Sequence, residues 1–173
     1  MVILRCREKN MIKKTPIICI AGKSESGKTT LIEKLIPELK KRGYRIGSIK
    51  HTCQAFDIDK KGKDSWRHRK AGADVVVIAS TDKIAMIKDN NCEFLDCLEK
   101  YFQDVDLIMA EGYHKENIPK IEIARAATRK EPLCLDDSKL IALVTDADIV
   151  HKVPGFGLEE IDKLADFIER KYL

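Results

Sequence analysis

No apolar run in this sequence approaches the roughly 20 residues that a bilayer-spanning helix requires. The longest, 17–21 and 75–79, have the length of one strand. The basic stretch before residue 16 holds only Val2 to Leu4 as an apolar core, short of the at least about 7 residues of a secretory segment, so no export signal is read and a cytoplasmic chain is expected. Charge of one sign is scarce too. The 32 Lys+Arg exceed the 28 Asp+Glu by only 4, too small and too evenly spread an excess for a nucleic-acid surface. Aromatic residues make up 6%, and only Trp66 stands beside a Lys/Arg cluster, so the stacking platform of a single-strand binder is missing. There is no C-x₂-C pair, and no structural zinc is expected. No Ser or Cys sits in a G-x-S-x-G elbow, and no nucleophilic triad is apparent. The cysteines are Cys6, Cys19, Cys53, Cys92, Cys97 and Cys134. Three fall in apolar segments, and all read best as reduced thiols, with Cys92 and Cys97 a structural pair rather than metal ligands.

What is present is an alternation. From Pro16 onward short β-rich runs at 17–21, 45–50, 74–79, 84–88, 107–110, 120–124 and 140–144 alternate with amphipathic stretches. That pattern specifies an α/β fold, helices packed on a mostly parallel sheet. One helix begins near Gly27 and lines up Leu31, Ile32, Leu35, Ile36 and Leu39, with Pro37 expected to kink or end it because proline removes a backbone donor. A second is expected over 93–102 and a third over 158–172, their apolar stripes being core. Residues 52–69 lose the apolar period and read as one long loop. Residues 154–157, Pro-Gly-Phe-Gly, read as a breaker. The chain length suits one nucleotide-binding domain, 16–173, after an N-terminal extension, 1–15.

The sharpest signal is Gly22-Lys23-Ser24-Glu25-Ser26-Gly27-Lys28-Thr29, which fits G-x-x-x-x-G-K-[ST] between an apolar strand and an amphipathic helix. The glycines let the backbone curl so that successive N–H groups, Ser24, Glu25, Ser26 and Gly27 among them, face phosphate oxygens, and the helix N-terminus adds its positive end. Lys28 would neutralise the β- and γ-phosphates, Thr29 would ligate Mg²⁺, and Thr30 follows at the helix start. Glu25 places a carboxylate in this loop, unhelpful beside phosphate unless it points outward. An acidic partner should end a neighbouring strand, where open α/β sheets bind ligands. Glu111, after Leu107 to Ala110 and before Gly112, fits that place as a metal-holding and catalytic carboxylate beside Lys28. Asp146, after the strand at 140–144, could accept from guanine N1–H and N2–H₂, although no N-K-x-D is present and an aspartate capping the turn fits equally.

The ordered series Ser48-Ile49-Lys50-His51, Phe56-Asp57-Ile58-Asp59, Gly62-Lys63-Asp64-Ser65, Arg67-His68-Arg69, Ala71-Gly72-Ala73, Glu111-Gly112-Tyr113 and Pro119-Lys120-Ile121-Glu122 resembles, with the phosphate loop, the MobB family of molybdopterin-guanine dinucleotide biosynthesis adaptors. The resemblance covers 16–173. It implies a P-loop NTPase-like domain with extra strands, a dimer, and GTP binding with slow Mg²⁺-dependent hydrolysis. It also implies a role assisting a MobA-type molybdopterin guanylyltransferase, with molybdopterin itself a further partner. In an extended segment Asp57 and Asp59 point to opposite sides, so only one faces the nucleotide; Asp57 is taken as the metal candidate, and either could complete the shell. Lys63 is placed to meet an anionic ligand, with Asp64 or Ser65 as helix cap. Arg67, Arg69 and Lys70 could meet a pterin phosphate, a partner protein or only water. The alternative function is a P-loop small-molecule kinase with Arg67 and Arg69 as a lid over the acceptor.

Overall fold

The computed structural model describes residues 14–89, 95–128 and 131–173; most of the expected N-terminal extension lies outside these. In chain order the elements are β1 (Ile17–Ala21), α1 (Lys28–Lys41), β2 (Ile46–Lys50), α2 (Asp64–Lys70), β3 (Val75–Ala79), β4 (Ile84–Lys88), α3 (Asp96–Glu99), β5 (Leu107–Glu111), β6 (Lys120–Ala124), β7 (Leu140–Thr145), β8 (Gly155–Phe156) and α4 (Ile161–Tyr172). They fall into two compact units, Met1–His51 with Glu99–Leu173, and Thr52–Leu98.

The larger unit is built on a six-stranded sheet in the order β2-β5-β1-β6-β7-β8, every pair parallel. Its central strands β1 and β6 are buried at all five positions, as expected of strands covered on both faces. Ile18, Ile20, Met109, Ile121, Ile123 and Val144 meet the stripes of α1 and α4 in one core. On the opposite face Cys19, Ala21, Cys134 and Leu140 pack with Tyr113, Ile118 and Val153, side chains from loops rather than helices. α1 and α4 are also joined at their polar margin, where the Arg42 guanidinium meets Glu38, Asp166 and Glu169.

Three helix expectations need revision. Pro37 does not end α1, which continues to Lys41. Pro37 and Glu33, the residue whose carbonyl loses its donor, are both exposed, so water can take the missing hydrogen bond. The helix expected over 93–102 is α3, of four residues, with 90–94 outside the described residues. It ends because Phe102 leaves the helical course to pack its ring over Gly47 of β2. α4 begins at Ile161 rather than 158, and the Pro-Gly-Phe-Gly breaker contributes the short edge strand β8.

The smaller unit contains the expected loop, α2 and an antiparallel ribbon of β3 and β4, paired Val75↔Lys88 through Ala79↔Ile84. Ser80 closes its turn, donating its N–H to the Lys83 carbonyl at 2.8 Å and accepting the Asp82 and Lys83 N–H groups on its hydroxyl. The helix-cap expectation shifts by one: α2 starts at Asp64, and Lys63 holds the extended cap position without a side-chain cap. Ser65 instead donates to Asp59 Oδ1 at 2.8 Å. Cys97 is disulfide-bonded, unlike the reduced state expected for all six cysteines. Among the described residues Cys19, Cys53 and Cys134 are free, and no helix is long and apolar enough to cross a membrane.

Candidate functional site

The motif at 22–29 is a loop between the C-terminal end of β1 and the N-terminus of α1, the crevice in which open parallel sheets bind ligands. Its curl is set by Gly22 at φ +142°, Glu25 at +67° and Gly27 at +97°. A Cβ on Gly22 would stand 2.5 Å from both the Ile123 carbonyl oxygen and the Ser26 hydroxyl, so only glycine fits there. Glu25 accepts a left-handed backbone that costs about 1–2 kcal/mol for an ordinary residue. Its side chain is exposed, which answers the electrostatic objection to a carboxylate in this loop.

Two features of the loop fit a phosphate chain. The Ser26 hydroxyl is buried and has no hydrogen-bond partner, a rare and costly state that an anionic oxygen over the loop would relieve. The Lys28 ammonium is folded back onto the loop, donating to the Gly22 and Lys23 carbonyls at 2.9 and 2.8 Å. A cation held by neutral carbonyls can exchange them for charged oxygens, which make stronger hydrogen bonds. Thr30 follows, exposed on the first turn.

Glu111 ends β5, beside β1 and β2. Thr29 donates its hydroxyl to both Glu111 oxygens at 3.3 Å, and Lys50, paired with Glu111 across the ladder, approaches Oε1 at 3.5 Å. A hydroxyl and a carboxylate in contact at the edge of a phosphate loop are hard oxygen donors of the kind Mg²⁺ takes, with water completing its shell. A Cβ on Gly112 would approach His51 at 3.2 Å, which accounts for glycine beside the acid. Among the described residues no group of three His, Cys, Asp or Glu side chains could hold a metal by itself.

The other expected residues have local partners. Asp146 Oδ1 accepts the Ala126 N–H at 2.7 Å, tying the segment after β7 to the segment after β6. In the smaller unit the Asp57 carboxyl accepts the Asp59 N–H and pairs with Arg69 at 3.0 Å. It is held below the usual carboxylate range chiefly by that N–H, with Arg69 adding to it. Asp59 keeps one buried oxygen, Oδ2, without a partner. Lys63 is exposed. Arg67 lies 3.8 Å from Asp64, a solvated contact of little energy.

Lys120 and Glu122, quoted in the sequence only as part of the resemblance and given no role there, are both buried in β6. Lys120 donates to the Glu116 and Ile118 carbonyls and pairs with Asp137 at 2.9 Å; Glu122 accepts the Leu133 and Cys134 N–H groups, the latter at 2.8 Å. Together they pin two loops against the sheet face opposite α1 and α4. The available signal was two ionisable residues at positions i and i+2 of an apolar strand, hence on one face. Also missed was a cavity beside Gly27 and Thr30, bounded by Lys34, Arg125, Leu158 and Glu159.

The chain matches the family described as molybdopterin guanine dinucleotide synthesis protein B over residues 17–146. It is 38% identical over 162 residues to the molybdopterin-guanine dinucleotide biosynthesis adapter protein of Haemophilus influenzae, spanning 92% of this chain and 90% of that one. The Escherichia coli protein of the same name is 38% identical over 162 residues, spanning 88% of this chain and 91% of that one. A crystal structure of molybdopterin-guanine biosynthesis protein B superposes with a TM-score of 0.71 at 32% identity, covering 89% of this chain and 97% of that one. This phosphate-loop α/β chain belongs to the MobB family.

Proposed function

We propose that this chain is an adapter in molybdopterin-guanine dinucleotide biosynthesis that binds Mg²⁺-GTP at the loop 22–29 and hydrolyses it slowly. The observation that carries the nucleotide part is the loop itself: a glycine-only curl at Gly22, an unpartnered buried Ser26 hydroxyl, and a Lys28 ammonium held only by the Gly22 and Lys23 carbonyls. The adapter role is supported by the family and by the names its relatives carry.

In this reading the backbone N–H groups of 24–27 and Lys28 bind the phosphates. Thr29 and Glu111 hold Mg²⁺, which supplies charge neutralisation to the triphosphate when bound. Lys28 and Glu111 are the catalytic pair, and hydrolysis is slow in this reading because the sequence names no water-positioning residue or arginine finger. Asp57 and Lys63 are candidates for further metal and phosphate contacts. The chain works in the cytoplasm as a homodimer, its partner a MobA-type guanylyltransferase and the cofactor precursor molybdopterin. The kinase alternative has less support, since Arg69 of its suggested lid is engaged by Asp57.

Calorimetry with GTP, ATP and CTP, with and without Mg²⁺, tests the site. Lys28→Ala should abolish binding while leaving the thermal transition in place; unchanged GTP affinity would refute it. Sedimentation should give twice the 19.7 kDa chain mass, and a stable monomer at micromolar protein would remove the dimer.

A further inference from the structure

Lys50 is the last residue of β2 and stands directly opposite Glu111 across the β2–β5 ladder. Along β5, Leu107 and Met109 face the core under α1 and α4, so Glu111, two residues further on, points the same way. Ile46 of β2 packs against that core too, which puts Lys50 on the same face. The phosphate loop opens into α1 there, and Thr29 on the first turn reaches Glu111. Lys50 Nζ lies 3.5 Å from Glu111 Oε1 and has no other carboxylate within ion-pair distance among the described residues.

The two partners are unequal. The Glu111 side chain is 13% exposed and that of Lys50 65%, so the carboxylate is fixed in the fold while the ammonium rides in water on a flexible four-carbon stem. A contact of that kind contributes at most about 1 kcal/mol and is easily exchanged. Lys50 cannot keep it once Thr29 and Glu111 hold Mg²⁺, because two cations then compete for one carboxylate. The anion offered to Lys50 instead is the terminal phosphate, since the metal of a phosphate-loop site bridges β- and γ-phosphate oxygens.

We infer that Lys50 senses the terminal phosphate: it rests on Glu111 in the empty site and transfers to the γ-phosphate of the bound triphosphate, so that the chain distinguishes a triphosphate from a diphosphate. Its place in the chain gives the transfer a consequence. Lys50 is followed by His51, whose N–H donates to the Glu111 carbonyl at 2.9 Å, and there the first segment of the larger unit ends. Thr52 begins the smaller unit. The side chain that changes partner therefore stands at the covalent junction through which nucleotide state can pass to residues 52–98. This deepens the Mg²⁺-GTP reading of the loop and rests on it.

Calorimetry of the full chain with GTP, GDP and inorganic tripolyphosphate in Mg²⁺ tests it, together with titration by Mn²⁺ alone followed by electron paramagnetic resonance. The wild type should bind GTP at least about tenfold more tightly than GDP, the worth of one charge-assisted contact. Lys50→Met keeps the stem, removes the ammonium and should lower that ratio several-fold, whereas Lys50→Arg should keep most of it. Lys34→Met removes an equal charge from α1, where Lys34 pairs with Glu159, and should leave the ratio within about twofold. Mn²⁺ alone should bind several-fold more tightly to Lys50→Met than to the wild type, because no ammonium competes for Glu111. An unchanged GTP/GDP ratio in Lys50→Met, an equal fall in Lys34→Met, or an unchanged Mn²⁺ affinity would each overturn the inference. Equal wild-type affinity for GTP and GDP would overturn it while leaving the phosphate loop standing; failure of the wild type to bind any of the three would overturn both.

Discussion

Replacing Gly22 by alanine separates the phosphate loop's geometry from its charge. Two costs arise at this position. The first is conformational: φ of +142° lies outside the range that residues with a Cβ adopt comfortably, at about 1–3 kcal/mol. The second is contact, since the new Cβ meets the Ser26 hydroxyl and the Ile123 carbonyl oxygen, both at 2.5 Å. Ser26 Oγ can rotate away. Ile123 O cannot, because it is main chain of β6, a strand held on both sides by β1 and β7. Overpacking of this kind costs about 1–3 kcal/mol more. Gly43 supplies the control, with φ of +94° and nothing within 4 Å of its would-be Cβ, so Gly43→Ala carries only the first cost. Urea unfolding should place Gly22→Ala about 1–3 kcal/mol below Gly43→Ala, out of a total stability of about 5–15 kcal/mol. Calorimetry should show tripolyphosphate binding lost in Gly22→Ala and retained in Gly43→Ala. Equal stability of the two variants, or wild-type binding by Gly22→Ala, would show that the Ile123 carbonyl does not confine the loop.

Other perturbations probe the rest of the larger unit. Asp137 is held below the usual carboxylate range, first by the Lys139 N–H and then by Lys120. Its stabilising contribution is therefore present above the unfolded value near 4 and lost as pH falls through the folded one, so the stability gap between wild type and Asp137→Asn should be full at pH 6 and close towards pH 3; a gap independent of pH would refute this. Arg42→Ala removes a half-buried guanidinium shared by Glu38, Asp166 and Glu169 and should cost about 1–3 kcal/mol in urea, against under about 0.5 for Lys41→Ala, whose side chain is 76% exposed. Burial pushes the Cys19 thiol up to about 11 and the Cys134 thiol up to about 12, whereas Cys53 is exposed. Iodoacetamide at pH 8 followed by peptide mass mapping should find Cys53 modified in the folded chain and Cys19 and Cys134 only after denaturant; equal labelling of the three without denaturant would contradict the packing of that sheet face.

How far the sequence could be read follows from the range of the interactions involved. β1, β4 and β6 take the bounds expected of them, and for β1 the reason is plain, since a strand buried at all five positions carries an uninterrupted apolar signal. The phosphate loop was legible for a related reason: its glycines, its Lys28 and the flanking strand and helix are all local. Glu111 could be expected by rule, since acids at strand ends face the ligand crevice, and its contact with Thr29 joins residues 82 apart. Glu122 and Lys120 have no such rule. Their charges read as interruptions of a strand, and what makes them tolerable inside the fold is a set of backbone N–H groups and carbonyls supplied by the 116–118 and 133–137 segments. The Lys34–Glu159 pair is less legible still, for each alone is a charged residue on or beside a helix, the commonest state of any lysine or glutamate. Only parallel packing of β6, β7 and β8 beside α1 brings the start of α4 to the first turns of α1. An exposed ion pair there contributes little to stability, so no strong selection for the fold marks either residue in the sequence.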